Sequence, residues 1–271
     1  MASARVRPAG IEDLGLTRAE FRVLVRLNTP QKIQDYLSAI PQNFEIGGET
    51  CLSVREVLRQ RRAHCIEGAL VAACALWIHG DPPLLLDLEA EDDDDHVVAL
   101  FRRDGCWGAI SKTNPPLLRW RDPVYRTLRE LSITYLHEYA NRRHQKTLRS
   151  YAGPLDLRRF DPEVWVTNRG NCWDVGFALE DLRHIPLITR AQAKRLRLRE
   201  VKGDMLGNIN EPGVDTEIII RKFGIPDAHS PDAIAEAERI GGAVQDKDIR
   251  GRTDFRAVTT VTIDGEHARD F

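Results

Sequence analysis

The sequence predicts an α+β fold in which a buried central helix packs on a small antiparallel sheet, followed by a shorter region of different texture. Three observations carry this. Residues 65–79 are apolar on almost every face, interrupted only by Glu67 and Gly68, and a helix apolar all round belongs in a core or a membrane. At about fourteen residues this run is shorter than the roughly 20 that a bilayer requires, so it is assigned to a core. Next, Leu84–Leu88, His96–Phe101 and Cys106–Ser111 form short apolar runs, the last two joined by Asp104-Gly105, a pair suited to a type I′ hairpin turn. Past about residue 200 the texture changes to Gly-Asn-Ile-Asn-Glu-Pro-Gly and an isolated β-rich run, Thr216–Ile220. These readings place one domain over residues 1–200 and a second segment over 201–271.

Each element has a local reason. Phe21, Leu24, Val25 and Leu27 carry helical periodicity between Leu16 and Leu27. Thr29-Pro30 is a cap with proline at the first helical position, opening a helix to about Ile40. Ser53 caps a short helix over 54–61 that leads into the central one. The run Asp92–Asp95 separates the first two strands. Asp122-Pro123 is another cap with proline behind it, from which a long helix over 124–141 is expected. Residues 155–167 are expected to be irregular or extended, with amphipathic helices over 174–184 and 190–199. A two-residue turn at Asp104-Gly105 puts Thr113 opposite His96, and a slip of two puts Ser111 there; both share the face nearest His96, and Asn114 takes the other.

Composition narrows the function classes. A net charge of −2 over 271 residues carries no global nucleic-acid or membrane signature. The first residues lack an apolar core of the secretory type. Five cysteines, an odd number without a CxxC pair, argue against a disulfide framework or structural zinc and for a reducing cytoplasm.

Cys65 stands at the start of the central helix, where free backbone N–H groups and the helix dipole favour a thiolate, with Arg61, Arg62 and His64 just upstream. The competing reading is a small buried hydrophobe, which suits Cys74, nine residues on and about 180° round the helix. A thiol nucleophile also needs a base and a group that orients it. A cysteine on a central helix followed by a histidine at the start of a strand is such an arrangement, with His96 as the base. Its alternatives are a surface histidine, or a metal ligand beside the Asp run; four consecutive aspartates on an extended strand cannot all reach one ion. His64 is assigned to packing or surface, because neighbours on a helix do not face each other.

The segments RRAHCIEGALVAACAL, DDDDHVVALF and GCWGAIS resemble a bacterial transglutaminase-like domain over about residues 29–195. The resemblance implies a papain-like core with Cys65 as nucleophile and His96 as base, no cofactor, and a peptide, amide or acyl substrate. Where that superfamily has an aspartate, 15 residues after the histidine, this chain has Ser111. A serine hydroxyl accepts an imidazole N–H but cannot stabilise imidazolium as a carboxylate does. Asn114 ranks next as the orienting group, and Asp94 or Asp95 is a further source of charge. The oxyanion donors are assigned to the Cys65 backbone N–H with a side chain from Gln42 or Asn43.

After about Leu206 the segments LGNINEPGVDTEIIIRKFGIP, DIRGRTDFR and VTIDGEHARDF resemble the entry to the catalytic domain of ribonuclease R type exoribonucleases. The resemblance implies the end of an OB domain, a linker helix over 232–240, and the first motif of an RNB domain, which degrades RNA from its 3′ end with magnesium. Asp264 and Asp270 match aspartates of the magnesium cluster, whose adjacent Asp-Asp pair would follow Phe271. The segment is therefore expected to be a loosely attached fragment without nuclease activity. Three function classes remain: a thiol hydrolase or transferase, a non-catalytic transglutaminase-like interaction domain, and a piece of an RNA-degrading enzyme with RNA as partner.

Overall fold

The structure, a computed structural model, describes residues 5–45, 48–141, 143–199, 220, 231–240 and 249–253. The chain divides into two compact units, residues 1–215 and 216–271.

The first unit opens with five helices, α1 (Ile11–Leu14), α2 (Arg18–Arg26), α3 (Pro30–Ala39), α4 (Val54–Gln60) and α5 (Cys65–Ile78). Thr17, Thr29 and Ser53 cap α2, α3 and α4 by accepting a backbone N–H of the first turn, and Pro30 starts α3. Strands β1 (Leu84–Ala90), β2 (His96–Arg103), β3 (Cys106–Ile110) and β4 (Trp120–Tyr125) follow, then α6 (Leu128–Ile133) and β5 (Leu148–Asp156). Short elements close the unit: α7 (Pro162–Trp165), α8 (Trp173–Glu180), β6 (Ile185–Pro186) and α9 (Arg190–Ala193).

The strands form one antiparallel sheet in the order β4-β3-β2-β1-β5-β6, so the fold mixes helices with an antiparallel sheet, as the α+β class requires. Leu85, Val97, Ala99 and Phe101 point into a core shared with α5, and Leu86, Leu88, Val98 and Leu100 into a second core with Leu131, Tyr135 and Tyr139. Burial on both faces explains why β1 and β2 read as continuous apolar runs. Every residue of α5 except Cys65 and Trp77 is buried, which accounts for its apolar circumference. Arg103 pairs with Cys106 across Asp104 (φ 51°) and Gly105 (φ 81°), a two-residue turn with both central residues left-handed, as type I′ demands.

Several expectations are corrected. No long helix spans residues 124–141: Asp122 and Pro123 lie in β4, at the edge of the sheet, where proline forfeits no ladder hydrogen bond. The helix begins only after Thr127, whose capping box with Glu130 is the stronger start signal. Of residues 155–167, expected to be irregular or extended, 155 and 156 are extended as the end of β5, whereas Leu157–Arg159 form a 3-10 turn and Pro162–Trp165 form α7; α8 and α9 are shorter than expected. The sheet has six strands instead of three because β4, β5 and β6 add to both edges.

In the second unit a helix occupies Pro231–Ile240, where a linker helix was expected. Ile220 is helical rather than extended; the β preference of isoleucine is a weak prior that context overrides. The rest of the expected strand at 216–220, the one at 257–263, and Asp264 and Asp270 lie outside the described residues. Among the described residues no helix is long and apolar enough to cross a membrane.

Candidate active site

Cys65 is the first residue of α5, and His64 caps it in an extended conformation (φ −103°, ψ −165°). The His64 backbone N–H donates to Glu67 Oε2 at 2.9 Å, closing the first turn. One turn on, Gly68 permits a close approach: a Cβ there would lie 2.4 Å from Lys112 Cβ. The chain after β3 therefore lies against the start of α5. Lys112 Nζ donates to the Ile40 carbonyl at 2.8 Å. Gln34 of α3 clamps the Ser111 backbone from both sides, donating to its carbonyl at 3.0 Å and accepting its N–H at 3.1 Å.

Held in this way, the fully buried Ser111 hydroxyl oxygen stands 3.1 Å from His96 Nε2. That hydroxyl has one proton, and two carbonyls compete for it, Leu118 O at 2.8 Å and Arg119 O at 3.1 Å. Ser111 Oγ is thus an acceptor toward the imidazole, which assigns a proton to His96 Nε2 and leaves Nδ1 as the free ring nitrogen. His96 is buried at 4 % exposure, with the Tyr135 and Tyr139 rings edge-on at 6.5 and 6.4 Å. It is not a surface histidine.

A second histidine faces the same sulfur. His64 Nδ1 lies 3.8 Å from Cys65 Sγ, and its Nε2 lies 3.3 Å from Glu67 Oε1, 3.5 Å from Glu45 Oε1 and 2.8 Å from the Thr50 carbonyl. The packing assignment for His64 is corrected: the residue is the cap, outside the helix proper, so the rule that helical neighbours diverge does not apply to it. Glu67 is fully buried and accepts from Thr50 Oγ1 at 2.8 Å, the Leu52 N–H at 3.0 Å and Asn43 Nδ2 at 3.2 Å. Burial alone would raise the Glu67 pKa, but the hydrogen bond and charge of His64 and the backbone donors lower it to about 2.

These groups set the thiol. Burial would raise the Cys65 pKa, yet hydrogen bonds from His64 and His96 and their charge bring it down to about 5. Burial would lower His64, and its bonds to Cys65 and Glu67 instead push it up to about 11. The geometry is that of a thiolate–imidazolium pair. Elsewhere, burial pushes Cys74 up, and Cys51 is pushed up by its neighbour Cys172 and then by burial. All five cysteines are free.

The structure thus brings together Cys65, His96 and Ser111, and leaves other candidates apart. Asn114 is exposed, in the loop beyond the strand, where its carbonyl accepts from Arg119 Nη2 at 2.9 Å; the buried Ser111 holds the place beside His96. Asn43 is not free to be an oxyanion donor, because its amide is committed to Glu67 and to Thr50 Oγ1 at 2.9 Å. Gln42 pairs through its backbone with Ala63, two residues before Cys65. Asp95 Oδ1 accepts the Ala90 N–H at 2.7 Å and so trims the β1–β2 turn rather than serving His96. Among the described residues no group of three or more His, Cys, Asp or Glu is arranged to hold a metal ion. Sequence reasoning passed over Glu67, although the spacing of His64 and Glu67 is that of a cap and its third helical residue.

Comparison with characterised proteins gives a different kind of information. No protein-family model matches the chain. Ribonuclease R of Thermotoga maritima is 39% identical over 69 residues, 25% of this chain and 10% of that protein. Ribonuclease R of Vibrio parahaemolyticus is 41% identical over 123 residues, 45% of this chain and 14% of that protein, and that of Aquifex aeolicus is 33% identical over 84 residues, 31% and 12%. Part of this chain is similar to ribonuclease R. The chain spans about a tenth of the length of these relatives.

Proposed function

We propose that residues 1–200 form a papain-like, transglutaminase-like thiol hydrolase or acyl transferase, and that the ribonuclease R similarity is centred on residues 201–271, its longer matches of 84 and 123 residues reaching into the residues before them. The observation that carries the first part is a thiol at a helix start, held down to about 5 between two histidines, one of them oriented by Ser111. In the reaction Cys65 Sγ attacks an amide or acyl carbon and the C=O electron pair moves onto oxygen. The Cys65 backbone N–H, which has no helical acceptor at that position, and the Gln42 amide are the proposed oxyanion donors. His96, whose Nδ1 has taken the Cys65 thiol proton, delivers that proton to the leaving amine as the tetrahedral adduct collapses to a thioester. Water or an acceptor amine, deprotonated by His96, then attacks the thioester and releases Cys65. A burst of p-nitrophenolate from p-nitrophenyl acetate, stoichiometric with protein and absent in Cys65→Ala, supports this; an equal release by that variant overturns it.

A second reading is the one that the comparisons favour. It takes the segment resembling ribonuclease R as part of a 3′-to-5′ exoribonuclease, with RNA as partner and Asp264 and Asp270 among its acidic residues. Magnesium-dependent shortening of 3′-labelled RNA that is lost in Asp264→Asn would make it primary.

A further inference from the structure

The cavity beside Cys65 is lined in a way that thiol chemistry alone does not require. It measures about 330 Å³, and Glu49, Asp87, Asp95 and Glu180 line it together with Trp173 and Phe177; none of its lining residues is basic. Asp87 is the decisive one. It is 5 % exposed, in the middle of β1, and among the described residues its carboxylate has no hydrogen-bond partner. A buried carboxylate without partners is costly, and a bound cation removes that cost. Burial, with the repulsion of Asp95 outweighing the attraction of His184, pushes Asp87 up to about 7. Trp173 and Phe177 stand four residues apart on α8 and are 37 % and 57 % exposed, a costly display of ring surface unless something covers it. Carboxylates and aromatic rings lining one cavity form the usual chemistry for an organic cation.

We propose that this cavity binds a positively charged substituent of the substrate, an ammonium or guanidinium, next to the carbonyl that Cys65 attacks. The proposal rests on the thiol reading above and names its substrate class: an amide or acyl compound bearing a cationic group. That group is held and not consumed, since a protonated amine has no lone pair with which to attack the thioester. His64 makes the opposite expectation definite. Its positive charge, 3.8 Å from the sulfur, would by itself draw anionic reagents to Cys65.

Thiol reagents that differ in charge test this on the full chain. Modification of Cys65 by cationic 2-aminoethyl methanethiosulfonate and anionic 2-sulfonatoethyl methanethiosulfonate is timed by mass spectrometry, each rate being divided by that for free cysteine. The cationic reagent is expected to be faster by about tenfold or more, the factor for one close charge pair at the protein surface. The preference should shrink in Asp87→Asn and in Trp173→Leu, the latter a surface change that spares the core. Butylammonium or butylguanidinium should slow alkylation by iodoacetamide where butanol does not, and the stronger of the two identifies the cation. Equal rates, an anionic preference, a preference undiminished in both variants, or no protection by either cation overturns the inference. Inertness of Cys65 to all three reagents brings down the thiol reading itself, and the inference with it.

Discussion

His96 Nε2 lies 3.1 Å from the hydroxyl oxygen of Ser111, so a neutral group, and not a carboxylate, orients this imidazole. The carboxylate is nonetheless present, on the other side of the sulfur. Glu67 Oε1 stands 3.3 Å from His64 Nε2, and His64 Nδ1 reaches Cys65. The charge that keeps a thiolate and the base that moves a proton thus reside on different histidines.

Cys65 is expected to be alkylated with a midpoint near pH 5, while Cys74, deep in the same helix, stays inert. Iodoacetamide labelling against pH, resolved by peptide mass spectrometry, checks both statements. A midpoint near the free-thiol value of about 8.5 would contradict the two-histidine account.

Ser111→Ala should leave the fold intact and slow acylation of Cys65 by about 10- to 100-fold, because His96 loses the acceptor that fixes its tautomer. Ser111→Asp should not rescue it. The new carboxylate would face the Leu118 and Arg119 carbonyls in a fully buried site, and a loss of about 2–4 kcal/mol is expected in urea denaturation.

Glu67→Gln should raise the Cys65 midpoint by about one unit or more, since His64 loses the charge that keeps it protonated. The same residue sets acid stability. Its pKa is depressed from 4.5 to about 2, so its contribution is complete above about pH 4.5 and disappears as pH falls through 2. Thermal melts between pH 5 and 2 should fall less steeply for the variant, which starts from a lower stability. A variant as steep as the parent would show that other carboxylates govern the slope.

Gly68→Ala should destabilise by about 1–3 kcal/mol despite the helix preference of alanine, because its Cβ would meet Lys112 Cβ at 2.4 Å. The displaced segment carries Ser111, so acylation should fall as well. Unchanged stability and rate together would refute the tight approach of the chain after β3 to α5.

The sequence by itself determined the elements whose signals are local. The burial of α5 follows from its apolar circumference, the β2–β3 turn from Asp104-Gly105, and the starts of α3 and α4 from Thr29-Pro30 and Ser53. Cys65 and His96 were legible as candidates because each stands at the end of a recognisable element. Tertiary structure decided the rest. Pro123 was mistaken for a helix start because its permissibility depends on β4 being an edge strand, a property of the sheet and not of the strand. Asn114 and Ser111 differ by three positions, and only the clamp of Gln34 and the gap at Gly68 select between them. Glu67 looked like a stray charge in an apolar helix. Its meaning came from Thr50, Leu52 and Asn43, which converge on it from distant sequence and make a buried carboxylate tolerable in the one place where it can hold His64.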